Sequence, residues 1–255
     1  MTPAKETPRI VMVHGLFGHL RFEALKTAFD DYEINSPDLI GYGVHKKEDT
    51  SNLTLQDQAD HVIQTIEQLS NEPVHIVGHS VGGAVAVLVA FKRPELLVSL
   101  TSVEGNFTIA DAFWSQEISK KSDDEVEETI NDYRRDPFSW IAGAIAKPSP
   151  LAERLAVDWL YNQPASTIKA QARAVVAATN DKFYLESVRS IIEIGLPVHL
   201  VAGQRSSSDW AVPEWINSRC TTRINLPDTG HLMMVEKPKM FANALQIGFE
   251  LSKSK

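Results

Sequence analysis

The chain of 255 residues holds a single cysteine, Cys220, and no surplus of positive charge. No apolar run approaches the roughly 20 residues that a membrane-spanning helix requires. One cysteine excludes an internal disulfide and any thiolate metal cluster, which fits a reducing compartment. Cys220 itself reads as a small apolar residue near a strand. Against 25 lysines and arginines stand 33 aspartates and glutamates, a formal net charge of −8. Without a basic footprint, neither nucleic acid nor an anionic membrane surface is an expected partner. The first ten residues have neither a basic start nor an apolar run, so a cytoplasmic protein is expected. Internal repeats and low-complexity tracts are also missing. A hydrophobic content of 43% is enough for one buried core, alone or carrying an insertion.

The chain does contain an alternation of β-runs and helical patterns. β-runs are expected at 9–13, 32–35, 74–77, 97–103, 197–202 and 222–226. Helices are expected at 21–29, 54–69, 81–91, 210–218 and 238–251. Within the second of these, Leu55, Ala59, Val62, Ile63, Ile66 and Leu69 keep helical spacing behind Thr54, a plausible N-cap. Such alternation predicts an α/β fold with a mostly parallel sheet covered by helices on both faces. Between Asn106 and Leu196 the β-runs vanish and several helices follow, broken at Pro137, Pro148, Pro150 and Pro164. Residues 107–189 are therefore expected to be an inserted helical cap on a core made of residues 1–106 and 190–255. The acidic run from Asp123 to Glu128 reads as a solvated helix face, because no glycine turn or alternating ligand spacing accompanies it.

Chemistry enters at Gly78-His79-Ser80-Val81-Gly82, a G-x-S-x-G run directly behind the apolar stretch Val74 to Val77. The short pattern alone is weakly specific. Its context strengthens it, because a strand, a glycine-flanked turn and a buried helix would lift the Ser80 hydroxyl above a sheet edge within reach of a base. A serine hydroxyl is a poor nucleophile at neutral pH, so a base, a group that orients the base, and donors for an oxyanion must accompany it. Of the eight histidines, His231 alone occupies a C-terminal strand-to-helix loop, Asp228-Thr229-Gly230-His231. That loop and the Ser80 turn both follow carboxyl ends of parallel strands, on one edge of the sheet.

With these residues in place the chain resembles an α/β-hydrolase of the compact, cap-bearing kind. The matching segments are His14-Gly15-Leu16-Phe17-Gly18, Pro37-Asp38-Leu39-Ile40-Gly41-Tyr42-Gly43, Gly78-His79-Ser80-Val81-Gly82-Gly83 and Gly230-His231. They stand in the family's order and span the chain outside the cap. One departure is that the first core strand begins at residue 9, which leaves out the usual N-terminal β-hairpin. The resemblance implies an oxyanion hole made by the backbone N–H groups of Leu16 and Val81. It leaves His14, His79 and Asp38 as structural residues, with His79 at the edge of the pocket.

The acid of the triad departs from the family pattern. Where most relatives carry an aspartate after the glycine ending the penultimate strand, this chain has Gly203-Gln204-Arg205-Ser206-Ser207-Ser208. Two carboxylates remain open. Asp209 follows slightly late and could instead cap a helix beginning at Trp210. Glu104, at the end of the strand before the cap, is the preferred reading: a buried carboxylate needs a partner, and an imidazole that becomes imidazolium is a good one.

The resemblance thus implies a serine esterase acting on small to medium apolar carboxylic esters, with lactones and thioesters as close neighbours. Trp114, Trp140 and Trp159 are candidate pocket walls among the cap aromatics, which also include Phe113, Phe138, Tyr161, Phe183 and Tyr184. No metal or cofactor is expected, and a serine nucleophile argues against the dehalogenases and epoxide hydrolases of the family, which use aspartate. Two alternatives stay open. One is a carbon–carbon hydrolase, for which Arg134, Arg135, Arg154 and Arg173 would be available to a substrate carboxylate; the other is a non-catalytic ligand receptor on the same fold.

Overall fold

The computed structural model describes residues 7–253. Its strands are β1 (Arg9–Val13), β2 (Glu33–Asn35), β3 (Val74–His79), β4 (Leu97–Val103), β5 (Val198–Gly203) and β6 (Thr222–Leu226). Every neighbouring pair is parallel, in the order β2-β1-β3-β4-β5-β6. Parallel neighbours need crossovers, and helices supply them. The first are α1 (Glu23–Lys26), α2 (Leu55–Leu69) and α3 (Val81–Lys92). Six more helices lie between β4 and β5: α4 (Phe113–Lys120), α5 (Asp123–Arg135), α6 (Pro137–Ala142), α7 (Pro150–Tyr161), α8 (Ala165–Thr179) and α9 (Lys182–Glu193). The chain ends through α10 (Glu214–Asn217), α11 (Met233–Glu236) and α12 (Pro238–Ser252).

Alternation along the strands builds two cores, one on each face. Val11 and Val13 join the cluster of α2, α3 and α8, whereas Ile10 and Met12 join that of α7 and α12. All of β3 and β5 is buried, as strands covered on both faces should be. Because the chain leaves β1 toward β2 and then returns to β3 on the other side, the order reverses between β1 and β3. A crevice opens at their carboxyl ends.

Two helices are shorter than the sequence suggests. The expected helix at 21–29 is the single turn α1, after which Ala28 and Phe29 donate to carbonyls three residues back, so the chain tightens instead of propagating. The expected helix at 210–218 is α10, beginning after Pro213. Upstream of it the Ala211 N–H goes to Asp111 Oδ1 (2.7 Å) and the Trp210 indole to the Gly105 carbonyl (2.7 Å). Asp209 therefore caps no helix.

The acidic run opens α5 as an exposed face, with Ser122 and Glu125 forming a capping box. At α2 the Thr54 side chain accepts from the Asp57 N–H (3.2 Å) while Asp57 Oδ2 accepts from the Thr54 N–H (2.8 Å). Removing the hydroxyl with Thr54→Ala is expected to cost about 1 kcal/mol. In a chain of this size that lowers the thermal midpoint by about 2–4 °C. Calorimetry on the variant checks this, and an unchanged midpoint would show that the cap contributes nothing.

Candidate active site

Ser80 stands between β3 and α3 with φ +54° and ψ −124°, a conformation that ordinary residues avoid. Its N–H donates to the Val103 carbonyl (3.0 Å) and its carbonyl accepts from the Gly83 N–H (2.8 Å), which hold the turn. The flanking glycines are there for space. A Cβ on Gly78 would lie 2.3 Å from the Gly82 carbonyl oxygen, and one on Gly82 would lie 2.3 Å from the carbonyl oxygens of Val13 and His14. Three non-glycine residues among those described have positive φ: Ser80, Glu104 and Asp228. They follow β3, β4 and β6, so all the strain of this kind gathers on one edge of the sheet.

At that edge His231 Nδ1–H donates to Glu104 Oε2 (2.6 Å). The other carboxylate oxygen accepts from the Gly203 N–H (2.8 Å) and from Ser206 Oγ (2.6 Å). Burial raises the Glu104 pKa, but the hydrogen bonds from His231, Ser206 and the Gly203 amide outweigh it and hold the group below its ordinary 4.5. Ser206, in the loop where the resemblance led to the expectation of an aspartate, here supports a carboxylate from the end of the neighbouring strand. Asp209 is exposed, and its carboxylate accepts from Ser208 Oγ at 3.4 Å. Between the two candidate acids, the His231 contact belongs to Glu104.

Ser80, His231 and Glu104 line one cavity of about 780 Å³, together with Leu16 and Val81. Among the described residues neither the Leu16 nor the Val81 backbone N–H has a hydrogen-bond partner. Orphaned amides are rare, and a pair of them beside a serine is a ready anion site. No hydrogen bond joins Ser80 Oγ to the His231 ring among the described residues, and in unliganded sites such contacts commonly tighten only with substrate.

The remaining motif residues are braces. His14 is buried, donating from Nδ1 to the Gly15 carbonyl (2.9 Å) and accepting the Leu39 N–H at Nε2 (3.4 Å); burial drives its pKa down to about 4. His79 is kept neutral by burial and donates from Nε2 to the His231 carbonyl (3.0 Å), which anchors the histidine loop. Asp38 takes hydrogen bonds from Arg21 and the Val44 N–H. Glu236, unmarked by any sequence motif, ties three segments together by accepting from Gly230 N (2.7 Å), Ala146 N (2.8 Å) and Arg205 Nη2 (2.9 Å).

Trp114, Trp140 and Trp159 all line the cavity, as does Phe113. Phe17 stacks on Trp114 with ring centroids 5.0 Å apart and packs on Trp140 at 5.3 Å. Tyr133, absent from the sequence-based candidates, completes that aromatic wall, and the helical spacing Val126, Ile130, Tyr133 on an otherwise charged helix is the signal that would have found it. Phe138, Tyr161 and Phe183 are exposed elsewhere, while Tyr184 is core. None of Arg134, Arg135, Arg154 and Arg173 lines the cavity. Arg134 spends its guanidinium on the carbonyls of Leu160 (3.2 Å) and Gln163 (3.0 Å).

A model described as the alpha/beta hydrolase family matches residues 10–244. The chain belongs to that family. Within it, the chain is similar to Lipase 3 of Moraxella sp. strain TA144, with 24% identity over 245 residues that cover 92% of this chain and 75% of that protein. Among solved structures, a thermophilic esterase from Thermogutta terrifontis matches at a TM-score of 0.69 and 19% identity, covering 96% of this chain and 90% of that one. The epoxide hydrolase CorEH matches at 0.66 and 16%, covering 95% and 91%. At such identities the structural matches speak for an α/β-hydrolase fold and leave the chemistry to the residues. No helix among those described is long and apolar enough to cross a membrane.

The Glu104 geometry has a consequence for stability. A carboxylate held below its unfolded pKa stabilises the fold above that unfolded value, and the stabilisation is lost as pH falls through the folded value. The thermal midpoint of the wild type should therefore exceed that of Glu104→Gln most above about pH 5, and the gap should narrow as pH falls below about 4. A gap constant from pH 7 to pH 3 would contradict a carboxylate held ionised by these donors.

Proposed function

We propose that the protein is a serine hydrolase that cleaves carboxylic esters of small to medium apolar substrates through Ser80, His231 and Glu104. The observation that carries the reading is the 2.6 Å hydrogen bond from His231 Nδ1–H to the buried Glu104 carboxylate on the cavity that also holds Ser80. That bond commits Nδ1 as donor, so Nε2 is the basic nitrogen and is free to take a proton.

In the reaction His231 Nε2 removes the Ser80 proton as Oγ attacks the ester carbonyl carbon. The Leu16 and Val81 N–H groups hold the oxyanion. Collapse breaks the bond to the alcohol oxygen, which takes the proton from His231 and leaves an acyl group on Ser80. Water, deprotonated by His231, then adds to the acyl carbon, and the second collapse releases the acid and restores the serine. Glu104 stays ionised throughout and stabilises the transient imidazolium.

Residues 107–189 act in this reading as the lid of a core made of residues 1–106 and 190–255. The lid supplies Trp114, Trp140 and Trp159 as walls for the apolar part of the substrate. A cavity of about 780 Å³ lies within the range of small-molecule sites. Serine at the elbow separates this chain from the aspartate chemistry of epoxide hydrolases. The four cap arginines that a carbon–carbon hydrolase would need are off the cavity.

The test is hydrolysis of p-nitrophenyl esters from acetate to decanoate. The wild type is expected to release p-nitrophenol, with Ser80→Ala down by at least about 10³-fold. Glu104→Gln should fall by about 10⁴-fold, because it loses the acceptor that fixes the imidazole tautomer, whereas Asp209→Asn stays within about twofold. Unchanged turnover in Ser80→Ala, or the reverse ranking of the two acid variants, would overturn the assignment.

A further inference from the structure

Buried polar side chains in folded proteins are nearly all paired, so the exceptions carry information. Among the described residues the unpartnered buried atoms are Thr101 Oγ1, Ser102 Oγ, Asn106 Oδ1, Trp159 Nε1 and Gln171 Nε2. Thr101 and Ser102 belong to β4 and Gln171 to α8, away from the cavity. Asn106 and Trp159 line it. Of these two, Asn106 adjoins the nucleophile: its backbone N–H donates to the Ser80 carbonyl (3.3 Å).

The loop carrying Asn106 is pinned through several of its backbone groups. The Glu104 N–H goes to the Val201 carbonyl (3.0 Å) and the Gly105 carbonyl receives the Trp210 indole (2.7 Å). The Asn106 carbonyl accepts from the Tyr184 hydroxyl (2.7 Å), and the Phe107 N–H goes to Asp111 Oδ2 (2.9 Å). On Asn106 itself the backbone N–H and carbonyl are both committed, and the side-chain amide is what is left over. The residue is 4% exposed, its Oδ1 is buried, and neither end of the amide makes a hydrogen bond with the described residues. An amide fixed this firmly and left unsatisfied weakens the fold unless something else binds it. Among the residues lining the cavity, Asn106 joins the nucleophile through its own backbone N–H, and its side-chain amide has no partner among the described residues.

We propose that Asn106 is a specificity-determining residue whose amide hydrogen-bonds an oxygen function of the substrate within a few bonds of the scissile carbonyl. The preferred substrates are then hydroxy- or keto-substituted esters over plain alkyl esters. This rests on the ester-hydrolase reading of the same cavity. The oxygen function can sit on the acyl chain or on the alcohol, and the two sources are separable by experiment.

Two matched pairs provide the test by kcat/KM: p-nitrophenyl 3-hydroxybutyrate against p-nitrophenyl butyrate for the acyl side, and 2-hydroxyethyl against ethyl butyrate for the alcohol side. The wild type should favour the oxygenated member of one pair by about tenfold, the size of one well-made hydrogen bond. In Asn106→Leu, which keeps the volume and removes the amide, the ratio should collapse to within about twofold. The thermal midpoint of that variant should hold or rise, because an unpartnered polar group has been replaced by an apolar one. A falling midpoint, equal rates in both pairs for the wild type, or a ratio preserved in the variant would each overturn the proposal.

Should no ester be hydrolysed, the function reading fails and Asn106 is judged by binding alone. Calorimetry of ethyl 3-hydroxybutyrate and 2-hydroxyethyl butyrate against ethyl butyrate on Ser80→Ala supports Asn106 if one preference is present and is lost in Ser80→Ala/Asn106→Leu. Equal affinities across the set overturn it.

Discussion

A carboxylate taken out of water stays charged only when donors replace the water it loses, and at Glu104 three donors converge: an imidazole N–H, a serine hydroxyl and a backbone amide. They come from three separate places, the loop after β6, the loop after β5 and the end of β5 itself. This buried charge thereby fixes the relative position of the last three strand ends and sets the tautomer of His231. Move that charge and the histidine loses its orientation, whatever happens at Ser80.

The surrounding structure serves the same end. His79 grips the His231 backbone, Glu236 ties that loop to Arg205 and to Ala146 of the helical insertion, and the strained turns at Ser80, Glu104 and Asp228 aim their residues over one sheet edge. Backbone strain of this kind persists only where neighbours over-determine it. Here the neighbours are the strands themselves, packed on both faces by apolar helices. The stability of the α/β core is what holds the site's geometry.

Much of this was legible in the chain. The strands declare themselves by apolar runs, α2 by its spacing behind Thr54, and the elbow by glycines that only close backbone approach demands. Ser80 and His231 follow from strand order, because carboxyl ends of parallel strands share an edge. Which of Glu104 and Asp209 meets His231 required coordinates, since that contact turns on how the loop after Gly203 folds. Ser206 in that loop reads as a missing acid until its hydroxyl is found on the Glu104 carboxylate. Trp210 looked like the start of a helix, but Pro213 and the indole's bond to Gly105 delay it. Tyr133 was hidden in a charged helix whose apolar face is three residues wide. Asn106 carried no sequence signal at all, because an asparagine beyond a strand end is ordinary until its amide proves to be without a partner.

The most direct measurement is the rate at which a fluorophosphonate ester modifies the protein, with the labelled residue identified by peptide mass spectrometry. It reports the nucleophile and its activation without requiring the natural substrate. The label is expected on Ser80, forming at the same rate in Asp209→Asn and at least about 10²-fold more slowly in Glu104→Gln. Label on another residue, or a rate that depends on Asp209 and ignores Glu104, would contradict the account.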